Sequence, residues 1–137
     1  MASPPSPSSS SRGLSPRQVR GRAVEWAACQ RLTRCGLQLL EANYRCPWGE
    51  LDLVMKDGET WVFVEVRSRR RSSFASAVES IDEAKQRRLV ATAQHYLASR
   101  GIEEPCRFDV VAVDLPHSGQ NPEDGHWVWI RDAFQTP

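Results

Sequence analysis

Apolar positions recur along this chain at two different spacings, and the changes between them mark out its elements. Ala23, Val24, Trp26, Ala27, Ala28 and Leu32 recur at helical spacing. Ahead of them Ser15-Pro16-Arg17-Gln18 reads as a helix start, with Ser as N-cap, Pro in the first turn and Gln three residues after the cap; Gly36 supplies the stop. Glu25 lies at the margin of the apolar stripe, because Ala28 and Cys29 are its neighbours one turn on, and a carboxylate there is costly unless a group such as Arg22 pairs with it. Residues 37–44 (LQLLEANY) read as a strand, and Pro47, which lacks an amide hydrogen, suits the loop after it. From 48 to 71 the chain runs WGELDLVMKDGETWVFVEVRSRRR. Two runs rich in Leu, Val, Phe and Trp flank Lys56-Asp57-Gly58-Glu59-Thr60, which predicts an antiparallel hairpin.

Side chains alternate across a strand, so Glu50 and Asp52 share one face of the first run, and Leu51, Leu53 and Met55 take the other. In the second run Trp61, Phe63, Glu65 and Arg67 lie opposite Val62, Val64 and Val66, and the Val face is the expected core. The turn decides whether the acids meet. A two-residue loop at Asp57-Gly58 sets Glu50 opposite Glu65, and a four-residue loop, 57–60, sets Asp52 opposite Glu65. A three-residue loop turns Asp52 to the Val face, since one residue of slip exchanges faces. An even loop is the expectation.

Residues 68–78 form a polar, basic connection. Ser80 and Glu83 make a second capping box, opening a helix to about residue 100 with Gly101 as its stop. Ile81, Ala84, Leu89, Ala93, Tyr96 and Leu97 are its expected buried face. Lys85, one turn before Leu89, points toward the sheet, and His95 has no Cys or His at ligand spacing. Residues 107–113 (RFDVVAV) read as a central strand, 115–126 as a loop, and 127–130 (WVWI) as a short closing strand whose tryptophans pack more readily than they stack on bases. The order is α-β-β-β-α-β-β, an α/β fold on the border with α+β, with a mixed sheet and helices on one or both faces. Residues 1–14, dominated by Ser and Pro, are expected to be disordered, and 15–137 to form a single domain.

Net charge is only +1 over 137 residues, which argues neither for nor against nucleic acid, but the charge is unevenly spread. Residues 1–24 carry Arg12, Arg17, Arg20 and Arg22 with no acid, 101–137 hold seven acids against Arg107 and Arg131, and Arg69, Arg70 and Arg71 follow the acid-bearing strand. Cys29, Cys35, Cys46 and Cys106 lack CxxC spacing and a nearby His, which predicts reduced, mostly buried thiols in a cytoplasmic protein. No apolar run reaches the roughly 18 to 20 residues of a membrane span, so no membrane partner is expected, nor is a secretory signal. No glycine-rich phosphate loop and no Ser or Cys nucleophile motif occurs.

Carboxylates on adjacent strands come within about 5 to 8 Å of each other, and on a half-buried surface they repel unless a cation lies between them. Two carboxylates, a main-chain carbonyl and waters suit Mg²⁺ or Mn²⁺, hard ions that also accept phosphate oxygens. Asp52 and Glu65 are therefore candidate metal ligands, for one ion or two. The plainer alternative is two solvated acids, each bridged to a nearby arginine. Beside a metal site, Arg69, Arg70 and Arg71 fit a clamp on a nucleic-acid backbone, and Lys85 a phosphate contact.

Asp52 followed, after a hairpin, by Glu65-Val66-Arg67 resembles the D...(D/E)xK signature of the PD-(D/E)XK nucleases, the restriction-endonuclease-like superfamily. More closely, Gly49-Glu50-Leu51-Asp52-Leu53, Val62-Phe63-Val64-Glu65-Val66, Lys85 followed by Arg88-Leu89, and Arg107-Phe108-Asp109-Val110-Val111 resemble the YraN family of small, largely uncharacterised bacterial proteins, over roughly 20–134. The resemblance implies a restriction-endonuclease-like mixed sheet flanked by helices, Mg²⁺ or Mn²⁺ on Asp52 and Glu65, and hydrolysis of phosphodiester bonds in DNA before RNA, branched and repair intermediates included. It also implies that Glu25 matches a first-helix Glu that reaches the active centre. One position departs: the family's motif Lys is Arg67 here, whose guanidinium stays protonated and cannot act as a general base. Glu25, Asp52, Glu65 and Arg67 form the expected catalytic set, with Lys85 as partial compensation. Two other classes compete: a nucleic-acid-binding module of the same fold without turnover, and a protein-interaction factor whose acidic C-terminal third is the working surface.

Overall fold

The helix start at Ser15 forms as its residue types dictate. Ser15 Oγ accepts from Gln18 N at 3.2 Å while Gln18 Oε1 accepts from Ser15 N at 2.9 Å, and the helix closes at Gly36, whose φ of +101° costs glycine little. In the computed structural model, which describes residues 15–70, 78–115, 117 and 119–135, this helix, α1 (Pro16–Arg34), is followed by β1 (Gln38–Cys46), β2 (Gly49–Asp57), β3 (Thr60–Arg69), α2 (Glu83–Ser99), β4 (Cys106–Asp114) and β5 (His126–Phe134). The tail expected to be disordered, and Arg71, lie outside the described residues. The order α-β-β-β-α-β-β is the one expected. The closing strand is longer than the expected 127–130, and a 3-10 turn, Pro122–Asp124, lies in the loop before it.

The strands form one sheet in the order β1-β2-β3-β4-β5. Neighbours are antiparallel except β3 and β4, which run parallel because the crossover through α2 returns the chain to the same end of the sheet. The middle strand is thus β3, and β4 lies inside the sheet, as expected, between β3 and β5. The α2 start is also shifted. Asp82, not Ser80, is the N-cap, its side chain accepting from Lys85 N at 2.7 Å. A carboxylate at the positive end of the helix dipole is the stronger cap, and the preceding residues close their own turn through Ile81 N to Val78 O at 2.9 Å. Ile81, Leu89, Ala93 and Tyr96 are buried as expected, whereas Ala84 is exposed and Thr92 is buried.

The sheet is covered on both faces. On one, α2 brings Leu89, Val90, Ala93 and Tyr96 onto Val54, Phe63 and Phe108; on the other, α1 brings Ala28, Cys29 and Leu32 onto Leu53, Met55, Val62 and Val64. The expectation of a single Val core face therefore fails, with Trp61 and Phe63 only 8% and 2% exposed. Strands of a sheet sandwiched this way are apolar on both sides, and burying one such ring stabilises by about 2 to 3 kcal/mol.

The hairpin loop has even length, as expected, but its two residues are Gly58 and Glu59, with Asp57 pairing Thr60. Gly58 at φ +60° suits the first position of a type II′ turn. Lys56 opposite Trp61 is the register of the four-residue alternative, and its continuation sets Asp52 against Glu65. Alternation breaks in β2, however: Leu51 packs with Val54 on the α2 side, while Leu53 and Met55 face α1. The break falls at Asp52, which the pairs Ala42↔Leu53 and Tyr44↔Leu51 set opposite Asn43. Asn43 is left-handed, at φ 56°, and a left-handed residue in a strand re-aims the side chains beyond it. Of the four thiols, all free, only Cys29 is buried; Cys35 and Cys106 are exposed at the ends of elements, which corrects the expectation of mostly buried cysteines. Among the described residues no helix is long and apolar enough to cross a membrane.

Candidate active site

Pairing between β2 and β3 stops at Leu53↔Val64. Beyond it Val66 N donates to Asp52 Oδ2 at 2.9 Å, so a side-chain carboxylate stands in for the next strand carbonyl. Groups from both helical layers meet at this end of the strand pair. Glu65, 7% exposed, holds its Oε2 3.3 Å from Arg67 Nη2 and 3.6 Å from Nζ of Lys85 on α2, so Lys85 does point toward the sheet. From the other layer α1 contributes Glu25. Asn43, its amide nitrogen turned to the acids, donates to Glu25 Oε1 at 2.9 Å and to Glu50 Oε1 at 3.0 Å, and Glu50 Oε2 lies 3.5 Å from Arg45 Nε.

These acids carry more negative charge than their partners offset. Burial pushes the Glu25 carboxyl up to about 7, Glu50 and Glu65 push it the same way, and the Asn43 amide and Arg22 act against them. Asp52 lies well above the usual carboxylate range, first because of burial, then because Glu65 and Glu25 are close. The plainer alternative, each acid bridged to an arginine, holds for Glu65 with Arg67 and for Glu50 with Arg45. It does not hold for Asp52, which no arginine bridges among the described residues.

Among the described residues no three His, Cys, Asp or Glu side chains form a ready-made metal cage. Two carboxylates nevertheless fit a hard ion that keeps several waters and is held through one or two of them. Burial, and after it the neighbouring carboxylates, lift Asp52 and Glu25, and a bound cation would oppose both effects.

The expected basic clamp is only partly assembled. The Arg69 guanidinium, 13% exposed, lies 3.3 Å from Asp114 Oδ1, so it faces inward; Arg70 is exposed, and Arg71 lies outside the described residues. In the acidic C-terminal third Asp109 and Asp114 are buried, Glu103, Glu104, Glu123, Asp124 and Asp132 are exposed, and Glu104 hydrogen-bonds both Lys56 Nζ, at 3.1 Å, and Trp61 Nε1, at 3.1 Å. Sequence reasoning missed Asn43 and the part Glu50 plays beside it. The available signal was an Asn, a residue that tolerates left-handed geometry, inside a strand.

A family model described as "Uncharacterised protein family UPF0102" matches residues 24–113, which run from α1 through β4 and include Glu25, Asp52, Glu65, Arg67 and Lys85. The chain is similar to a UPF0102 protein of Stutzerimonas stutzeri, 46% identical over 125 residues that cover 90% of this chain and 100% of the relative. It is 46% identical over 119 residues to one from Nitrosococcus oceani, covering 85% of this chain and 92% of the relative. A third, from Pseudomonas aeruginosa strain LESB58, is 50% identical over 119 residues, covering 85% and 93%.

Proposed function

Starting from a chain that belongs to the uncharacterised protein family UPF0102, the YraN family, whose name states no activity, we propose that it is a metal-dependent endonuclease that hydrolyses phosphodiester bonds in DNA on the PD-(D/E)XK plan. The observation that carries this reading is the gathering of Asp52, Glu65 and Glu25 from three elements into one under-compensated cluster, with the Lys85 ammonium 3.6 Å from Glu65. Mg²⁺ or Mn²⁺ held by Asp52 and Glu65 would supply Lewis acidity toward a phosphate oxygen and acidify an attacking water. Glu25, titrating near 7, is suited to take a proton from water at neutral pH. Arg67 stays protonated and offsets charge on Glu65 without relaying protons. Lys85 brings to Glu65 the ammonium that the resembling motif carries at position 67.

The test incubates purified protein with flapped, junction and single-stranded DNA in Mn²⁺, beside Asp52→Ala and Glu65→Ala. Loss of cleavage by on the order of 100-fold or more in both variants is the expected result. Cleavage that persists in both belongs to a contaminant and ends the enzymatic reading. Arg67 motivates a second reading, a nucleic-acid-binding module of the same fold. Salt-sensitive binding without cleavage, with cleavage appearing in Arg67→Lys, would select it.

A further inference from the structure

Among the described residues Trp48 stands out as an exposed large hydrophobic side chain, at 58%. It occupies the tip of the β1–β2 hairpin, in the two-residue connection between the paired Cys46 and Gly49. The tip is anchored. Gly49, at φ +150°, lies so close to α2 that a Cβ there would sit 3.1 Å from Thr92 Oγ1, and on the same strand pair Tyr44 Oη and His95 Nδ1 hydrogen-bond at 2.6 Å. An indole is thus held out in water on a braced hairpin, where it adds nothing to the core.

The anchor leads to the acids. Thr92, Arg88 and Lys85 follow one another along a single stripe of α2 at four- and three-residue steps, and Lys85 reaches Glu65. Seven residues of helix span about 10 Å. Arg88 on that stripe is exposed, and the Arg45 side chain, three residues before the tip, is 74% exposed. An aromatic face followed by a row of cations is the layout that grips a single strand, with a base on the ring and phosphates on the charges.

We propose that Trp48 stacks on an unpaired base of a DNA substrate while Arg88 and Lys85 conduct the backbone to the carboxylates, about three stacked nucleotides away. The substrate class is DNA with a single-stranded segment, such as a flap or a fork. This deepens the nuclease reading and rests on it. The interior of an intact duplex keeps its bases stacked on one another and offers Trp48 no free face.

A labelled 5′-flap DNA and a blunt duplex of equal length are titrated with wild type, Trp48→Ala and Trp48→Phe, and cleavage of both is followed. Flap binding is expected to weaken about 5- to 150-fold in Trp48→Ala and to recover largely in Trp48→Phe, with duplex binding unchanged. Unlabelled single-stranded DNA should quench tryptophan emission of the wild type and much less that of Trp48→Phe. Equal weakening of both DNAs, or of neither, while the wild type still cleaves, overturns the stacking role alone and leaves the tip to an apolar protein partner. A wild type that neither binds nor cleaves either DNA overturns the nuclease reading and this inference with it.

Discussion

Asp109 on β4 and Asp52 on β2 lie on either side of the middle strand, and each faces a left-handed residue of an edge strand, Asp132 in β5 and Asn43 in β1. Their surroundings differ in kind. Asp109, fully buried, accepts from Arg107 Nε at 3.0 Å and Nη2 at 3.3 Å, from Trp129 Nε1 at 2.9 Å and from Asp132 N at 2.9 Å. Asp52 accepts from the Val66 amide and otherwise faces Glu65 and Glu25. Burial alone therefore does not single out the proposed metal ligand, since the deeper of the two is saturated with donors. Charge that the surroundings leave unbalanced is the better guide.

The contrast breaks most visibly on Asp109. Asp109→Ala leaves the Trp129 indole N–H and the Asp132 amide without their acceptor and the Arg107 guanidinium with Asp57 alone, and should cost about 3 to 5 kcal/mol in urea unfolding, whereas Asp52→Asn should cost little or stabilise. Similar losses in the two variants would dissolve the comparison.

A smaller effect follows from pH. Folded Glu25 keeps its proton to about 7, and the unfolded chain releases it near 4.5, so the native state binds more protons between those values. Stability should then fall as pH rises from about 4.5 to 7, by on the order of 1 to 3 kcal/mol, and Glu25→Gln should flatten the slope. Urea midpoints that rise across that window in the wild type would contradict the assignment. Smallest is Asn43→Gly, which keeps the left-handed backbone and removes the amide. It should cost about 1 kcal/mol or less, while the Glu25 titration followed by NMR moves further up; a downward move would refute the amide's role.

What could be read in the sequence had one dominant local use. Ser15 and Gln18 have little to do before an apolar helix except cap it, Gly58 suits a turn, and an even loop was the one condition needed to keep Asp52 and Glu65 on one face. The α2 start was misread because Ser80 and Asp82 are both good caps two residues apart, and only the dipole and the turn at Val78 separate them. RFDVV reads as a plain strand whether Asp109 is catalytic or structural, because the donors that settle the matter, Trp129 and Asp132, arrive 20 or more residues later. Glu25 reached the candidate list through family resemblance; its spacing indicated only an uneasy place at the edge of the core.

Strands β1 and β5 are the two margins of the sheet, and neither is straight. Pairing slips after Leu39 in β1 and around Asp109 opposite β5, and the non-glycine residues with positive φ among those described, Asn43 and Asp132, sit one on each margin. A flat border would present an unbroken row of amides and carbonyls to a second copy and invite it to add a sixth strand. The bend that lets Asn43 reach Glu25 and Glu50 thereby also discourages these molecules from zipping together.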